Sequence, residues 1–460
     1  MDVNGKKVTV VGLGQTAVAV VRLLLREGAK PFVTEKGEGA KYEPLRAQLE
    51  ALSVPCETGG HSEEAFDGAA LVIPSPGVPP KLDLIRRAQS AGAAVVGEME
   101  YAVQFCRSRL LAVTGTNGKT TTTELLRALV VACGRSVVLA GNNAFPFSAA
   151  VKLDPVPEFI VLEVSSYQLE TAREFRPWIA AVMNVTPDHL TRHGSIDEYA
   201  AVKFRIYAKQ TESDAAVINQ DDPYVKRMGE GLRARIVPFS QRERLQNGVW
   251  TDGAGIFAGN VRVASTSDTR LPGRHNMENV LCALAMMRAG GFDWACTVRG
   301  LRGFRGVEHR IEFVVRHAGV DWYNDSKSTN IDSLRVALES FNEPIVLIAG
   351  GQGKGSDYRV LRGTVAERVR RLVTLGEDAE KLEAAFSDIV PAERAGDMAD
   401  AVAKAGAVAE PGNVVLLSPA CASFDMFDNF EHRGRVFKEC VAHYVIAQSE
   451  KRGLTRFSAF

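Results

Sequence analysis

The chain has 460 residues, 46% of them hydrophobic, and at about 150 residues per domain it should divide into three domains. Lys+Arg and Asp+Glu balance at 55 each, so no charge excess points to nucleic acid or a membrane surface as partner. Seven scattered cysteines form no CxxC pair, which argues against a zinc ribbon or a disulfide framework and for free thiols in a reducing cytoplasm.

The sequence enters a strand pattern at Lys7–Val11 without the layout of a signal peptide, and no apolar run approaches 18 residues, so a cytoplasmic chain is expected. Short apolar runs ending in glycine-rich turns recur along the chain, the rhythm of parallel strands alternating with helices. In the first region, 1–106, strands are expected at Lys7–Val11, Pro31–Thr34 and Ala70–Ile73, the last closed by the turn Pro74-Ser75-Pro76-Gly77. In the second, 107–304, Leu110–Val113, Glu158–Val164 and Ala180–Val185 read as buried strands, Gly248–Val263 as a small β-meander and His275–Ala289 as a helix. In the third, 305–460, strands are expected at Pro344–Ala349, Arg371–Leu375 and Asn413–Leu417. The fold class is α/β: a Rossmann-like N-terminal domain, a central P-loop ATPase-like parallel sheet carrying the meander, and a Rossmann-like C-terminal domain.

The clearest chemical signal is Thr114-Gly115-Thr116-Asn117-Gly118-Lys119-Thr120-Thr121. A strand feeds a loop of small residues and then a helix, so backbone N–H groups and the positive end of the helix dipole converge on a phosphate. Lys119 would reach the β- and γ-phosphates, and the Thr120 hydroxyl would ligate Mg²⁺. The pattern departs from a strict Walker loop, because Val113 stands where the first glycine is expected and Gly115 follows two places later. Glu163 closes the next buried strand, where it can hold Mg²⁺ or cap the helix that follows. His189, in Asn184-Val185-Thr186-Pro187-Asp188-His189, follows another strand of the same sheet and is a candidate for a second metal.

The segments GTNGKT, LEVSSYQLE, NVTPDHL, KFRIY, GRHNMEN, NDSKSTN, GGQGKG and LSPACASFDMFDNFEHRG together resemble the Mur ligase family over nearly the whole chain. The last four most resemble its D-glutamate-adding branch; folylpolyglutamate synthases are relatives. The resemblance implies an ATP-dependent acid–amino-acid ligase acting on UDP-N-acetylmuramoyl-L-alanine and D-glutamate as a monomer. It implies ATP, two Mg²⁺ ions held by Thr120, Glu163, His189 and Lys203, and a CO₂-derived carbamate on Lys203; on pattern alone Lys203 is an ordinary helix-surface lysine. Asn276 and Asn279 match positions near the adenine and phosphates. Arg310, beside His309, matches the γ-phosphate clamp, and Asp325 and Lys327 match positions that meet the nucleotide when the last domain closes. Thr329, Lys354, Ser423 and Phe430 match the D-glutamate positions.

Gly12-Leu13-Gly14-Gln15-Thr16-Ala17, with Glu35 ending the second strand, reads by itself as a dinucleotide fingerprint and would suggest an NAD-dependent oxidoreductase. Under the resemblance this domain instead binds the nucleotide sugar: Gln15 and Thr16 at the diphosphate, Glu35 and Lys36 near the uracil or ribose, Ser75 and Gly77 along the crevice, with Asn142 and His189 also facing the sugar. GGQGKG allows a rival nucleotide turn. Three departures from the family affect local loops: Gly141-Asn142-Asn143-Ala144 replaces GNIG, VEHR replaces LPHR, and Thr191 stands where an acidic residue is common. Besides another superfamily ligase with a different amino acid, the remaining rivals are the oxidoreductase and a nucleotide-binding regulator with a dead site.

Overall fold

The computed structural model describes residues 1–78, 82–142 and 145–451. Asn143 and Ala144 of the expected departure lie outside the described residues. The chain packs as two compact units, residues 1–268 with 278–302, and residues 269–277 with 303–460.

Among the described residues three sheets form, two of them in the first unit. The N-terminal sheet is wholly parallel, in the order Cys56–Thr58, Lys30–Glu35, Lys7–Val11, Leu71–Pro74, Ala94–Val95. The second sheet runs Val261–Ser265, Gly255–Ala258, Val249–Thr251, Arg235–Ser240, Ala215–Asn219, Ile179–Val182, Arg109–Thr114, Phe159–Glu163, Val137–Gly141. It is parallel from Val249–Thr251 to Val137–Gly141, and the expected meander is its antiparallel edge. Its central strands are buried along nearly their whole length and apolar except at their ends, as in a parallel sheet covered on both faces.

The second unit holds a sheet ordered Glu312–His317, Val320–Asn324, Val414–Leu417, Ile345–Gly350, Val369–Leu375, Ala392–Arg394, parallel except for its first pair. Separate apolar clusters cover its two faces, one around Phe341, Leu347 and Leu416, the other around Trp322, Ile348 and Phe437.

Two expectations need correction. The strand expected over Ala180–Val185 ends at Val182, because Asn184 and Thr186 turn aside to brace the phosphate loop. The cysteines are not all free: Cys133 and Cys296 form a disulfide across 163 residues of sequence. That separation hid the pair from any spacing rule, and the two meet only because the helices carrying them pack together. Cys56, Cys106, Cys282, Cys421 and Cys440 are free thiols. No described helix is long and apolar enough to cross a membrane.

Candidate active site

The phosphate loop lies between the central strand Arg109–Thr114 and the helix Lys119–Ala132. Gly118, the residue before the helix, has φ +82°, a left-handed conformation that glycine adopts without steric cost. A side chain there would also collide with Asn279 Oδ1. Parallel neighbours flank the loop strand, Phe159–Glu163 on one side and Ile179–Val182 on the other. Glu163 and the segment leading to His189 therefore leave the same edge of the sheet on opposite sides of the loop, the crevice at which open α/β sheets bind ligands.

The loop is braced from the His189 side. Thr116 N donates to the Asn184 carbonyl at 3.0 Å, and Asn117 N donates to Asn184 Oδ1 at 2.9 Å. Thr186 N donates to Thr116 Oγ1 at 3.0 Å. Asn184 is itself held, its Nδ2 donating to Glu278 Oε1 at 2.6 Å.

Two lysines converge on one loop carbonyl. Lys119 Nζ donates to the carbonyls of Gly115 and Thr116, both at 2.9 Å. Lys203 Nζ, carried by the helix Ile196–Phe204, donates to the same Gly115 carbonyl at 2.8 Å and lies 4.4 Å from the centre of the Tyr199 ring. Lys203 is 1% exposed, so the expectation of a surface lysine from its helical pattern is wrong; the contact with a loop 88 residues earlier could not be read from local periodicity. Burial, and then the charge of Lys119, pull its ammonium down to about 7.

Glu163 is buried at the strand end. Asn142 Nδ2 donates to Glu163 Oε1 at 3.1 Å, so the asparagine expected at the nucleotide sugar sits against the candidate metal carboxylate. His189 has φ +52° and is half exposed. Its Nε2 lies 3.5 Å from Asp188 Oδ2, and its ring centre 5.1 Å from that of Tyr167. Among the described residues no three His, Cys, Asp or Glu side chains gather as a metal cage. A Mg²⁺ ion held by Thr120, Glu163, His189 or Lys203 would share its coordination with phosphate oxygens, as suits an ion that is usually held by one or two carboxylates plus substrate phosphates. The loop itself fits a triphosphate: it is glycine-lined, met by the ammonium groups of Lys119 and Lys203 and placed at a helix N-terminus.

In the N-terminal sheet, Gln15 and Thr16 open the helix Gln15–Arg26 after the Gly12–Gly14 turn. Gly12 has φ +103°, and a Cβ there would meet Ser75 Oγ at 2.5 Å, so only glycine lets the two strand ends approach. Glu35 accepts from Leu13 N at 2.8 Å, Gly37 N at 2.7 Å and Tyr42 Oη at 3.3 Å. Its carboxylate thus fixes the turn, while Lys36 beside it and Gly77, which follows the strand Leu71–Pro74, are exposed. Arg192 Nη2 donates to the Val78 carbonyl at 3.3 Å and to Glu170 Oε2 at 2.8 Å, linking the crevice wall to the segment after His189.

The second unit gathers its own set. Asp325 Oδ2 accepts from Ser418 Oγ at 2.8 Å and Oδ1 from Ile311 N at 3.1 Å. Burial pushes its carboxyl up to about 7. His309 is buried with φ +64°, its Nδ1 2.9 Å from Asn324 Nδ2, and a Cβ on Gly434 would strike its ring. Arg310 beside it is exposed. Lys327 N donates to the His309 carbonyl at 3.0 Å, and its ammonium lies 5.6 Å from the centre of the Phe430 ring. Gln352 and Ala422 exchange backbone hydrogen bonds of 3.0 and 2.9 Å, which draws the loop of exposed Lys354 to that of buried Ser423. Thr329 precedes Asn330, the cap of the helix Ile331–Glu339. Asn276, buried, donates to the Pro272 carbonyl at 2.7 Å near the start of the helix Arg274–Ala289. The glycine turn 350–355 leads into the 3₁₀ turn Tyr358–Leu361 rather than directly into a helix, so the rival nucleotide site lacks a helix N-terminus.

Sequence reasoning missed Arg433. Its guanidinium, 1% exposed, donates to Ser326 Oγ and to the carbonyls of Ser326, Cys421 and Ala422 at 2.8–3.1 Å, tying the Lys327 loop to the Ser423 loop. The signal was its spacing: Arg433, Phe437 and Val441 recur every four residues along one helix, and all three are buried. Asn184, Tyr199 and Asn324 were likewise unassigned.

A phosphate loop on a parallel sheet, flanked by Glu163 and His189, together with a separate α/β unit, defines an ATP-using ligase architecture. The chain belongs to the Mur ligase family. Its residues 6–97 match the MurD-like N-terminal domain of Mur ligases, 113–287 the Mur ligase middle domain and 309–421 the Mur ligase, glutamate ligase domain. It is 44% identical over 449 residues to a UDP-N-acetylmuramoylalanine–D-glutamate ligase of Pelotomaculum thermopropionicum, covering 96% of this chain and 98% of that protein. A relative of the same name from Geotalea uraniireducens is 42% identical over 444 residues, with the same coverage of both chains. Among solved structures, the UDP-N-acetylmuramate–alanine ligase of Thermotoga maritima shares the fold at a TM-score of 0.54 and 19% identity, covering 95% of this chain and 99% of that one. A UDP-N-acetylmuramoyl-L-alanyl-D-glutamate–2,6-diaminopimelate ligase gives a TM-score of 0.59 at 19% identity, with coverage of 82% and 92%.

Proposed function

We propose that this chain joins D-glutamate to UDP-N-acetylmuramoyl-L-alanine at the expense of ATP, a cytoplasmic step of peptidoglycan precursor synthesis performed by a monomer. The observation that carries the proposal is the convergence of Lys119 and Lys203 on the Gly115 carbonyl, within the loop flanked by Glu163 and His189. The names of the full-length relatives support the choice of substrates.

Three domains carry the parts: 1–106 the nucleotide sugar, 107–304 ATP, and 305–460 the amino acid. The sugar's diphosphate rests at Gln15 and Thr16, with its uridine toward Glu35 and Lys36 and its course along Ser75 and Gly77. Asn142 and His189 face the muramoyl end. Thr116, Asn117, Thr121, Asn276 and Asn279 complete the ATP cradle begun by Gly115, Gly118, Lys119 and Thr120.

The substrate carboxylate attacks the γ-phosphorus in line, ADP departs, and an acyl phosphate remains. Lys119 and Arg310 spread the charge that develops on the transferring oxygens. Asp325 and Lys327 hold the nucleotide. D-glutamate is oriented by the Lys354 ammonium and by the Thr329 and Ser423 hydroxyls, against Phe430. Its amine attacks the acyl carbon, loses a proton, and phosphate leaves as the amide forms. Two Mg²⁺ ions, held through Thr120, Glu163, His189 and a carbamate on Lys203, would neutralise phosphate charge. The lowered ammonium of Lys203 supports the carbamate, since CO₂ adds only to the neutral amine.

Phosphate release from ATP tests the proposal. Turnover should require UDP-N-acetylmuramoyl-L-alanine and rise on adding D-glutamate. Turnover without that sugar, or equal turnover with L-glutamate, overturns the substrate assignment.

A further inference from the structure

The ligase reaction makes no use of the disulfide. The phosphate-loop helix Lys119–Ala132 ends at Cys133, which is bonded to Cys296 in the first turn of the helix Trp294–Gly303. The Cα atoms are 4.9 Å apart, within the span a disulfide requires. The helix crossing that brings them together does not depend on the bond. A Cβ on Gly300 would lie 2.8 Å from Ala132 Cβ and 3.2 Å from Leu129 Cα, so glycine permits the close crossing. Arg299 Nη2 donates to the Ala132 carbonyl at 3.1 Å, one residue from Cys133. The sulfurs therefore stay within reach of one another when reduced. Both cysteines are partly exposed, whereas Cys282 and Cys421 are buried, so small thiols and disulfides reach this pair.

We propose that Cys133 and Cys296 form a reversible thiol–disulfide modification site, oxidised by a small disulfide of the glutathione class and reduced by dithiols. In oxidation the two thiols form one S–S bond and release two protons; two electrons pass to the incoming disulfide, which leaves as two thiols. The bond closes the chain that carries Glu163, His189 and Lys203 into a loop, which restricts the unfolded state of the ATP-binding core. The bond lies at the far end of a 14-residue helix, about 20 Å along the axis from the phosphate loop. It therefore acts on the persistence of the fold under stress rather than on the chemical step.

The intact protein is incubated with oxidised glutathione or with dithiothreitol, alkylated under denaturing conditions and mapped by mass spectrometry, with thermal unfolding measured in parallel. Five alkylated cysteines and a Cys133–Cys296 cross-link are expected after oxidation, all seven alkylated after reduction, and a midpoint about 5–10 °C higher in the oxidised form. The double variant C133S/C296S should unfold at one temperature under both treatments. Seven alkylated cysteines under both conditions, a cross-link through another cysteine, equal midpoints for the oxidised and reduced protein, or the same midpoint shift in the double variant overturns the proposal.

Discussion

Lys203 Nζ donates to the Gly115 carbonyl at 2.8 Å, and Lys119 Nζ donates to the same oxygen at 2.9 Å. Two ammonium groups on one carbonyl form an unfavourable pair. Triphosphate would relieve it by drawing Lys119 outward, and carbamate would relieve it by reversing the charge at Lys203. Lys203→Ala should lower the rate of phosphate release by about 10²-fold or more, the scale seen when a charge-stabilising group is lost from a transition state. Short carboxylates should restore part of that rate. Full activity in the variant would remove the carbamate from the mechanism.

The carbamate has its own pH dependence. With the Lys203 ammonium drawn down to about 7, the neutral amine that captures CO₂ becomes the major form as the pH rises through that value. In protein supplied with ¹³C-bicarbonate, the carbamate NMR signal should grow between pH 6 and 8, and Lys203→Arg should abolish it. A signal that stays constant across the range contradicts this.

Gly118 offers a backbone test. At φ +82° a non-glycine residue costs roughly 1–2 kcal/mol, and the added methyl would strike Asn279 Oδ1 and approach Met183 Cε to 2.7 Å. Gly118→Ala should weaken binding of a nonhydrolysable ATP analogue by about tenfold or more, from the strain alone, while the far-UV spectrum stays unchanged. Calorimetric titration measures it.

The sequence made the sheets and the phosphate loop legible because parallel strands buried on both faces are uninterrupted apolar runs, and because glycine, lysine and threonine have a local reason to follow one. Its limits lay in long-range contacts. Lys203 looked like a surface residue because periodicity cannot register a carbonyl 88 residues away. The Cys133–Cys296 bond escaped because spacing rules look for near neighbours. Glu35 also accepts hydrogen bonds from Leu13 N, Gly37 N and Tyr42 Oη, and the first of these, 22 residues away, was not legible from the strand pattern. The resemblance supplied roles for Asn276, Arg310 and Lys354 that no pattern of residue types would have singled out.

Arg433 should be structurally indispensable in the second unit. Arg433→Met removes four hydrogen bonds, to the Ser326 hydroxyl and to the carbonyls of Ser326, Cys421 and Ala422, of which the last keeps Gln352 N as a donor. A cost of about 2 kcal/mol or more is expected in urea unfolding, with a raised KM for D-glutamate as the Ser423 loop loosens. Arg433→Lys should recover only part, because an ammonium lacks the planar fork.

Asp325 predicts a pH-dependent stability. Its carboxyl is raised from 3.8 to about 7 by burial, with the Ser418 and Ile311 hydrogen bonds opposing. Between those values the folded chain keeps a proton that the unfolded chain has released, so stability falls as the pH rises from about 4 to 7. Asp325→Asn removes this term. The thermal midpoint of the variant relative to the natural chain should therefore climb across that interval and level off above it; a flat difference would show that Asp325 is ionised throughout.

ATP should occupy the Gly115–Thr121 loop. A structure determined with a nonhydrolysable ATP analogue and Mg²⁺ tests this directly: the triphosphate should lie along that loop, with Lys119 moved from the Gly115 carbonyl to the β- and γ-phosphates. An empty loop, with the nucleotide bound instead at the Gly12–Thr16 turn, would contradict it.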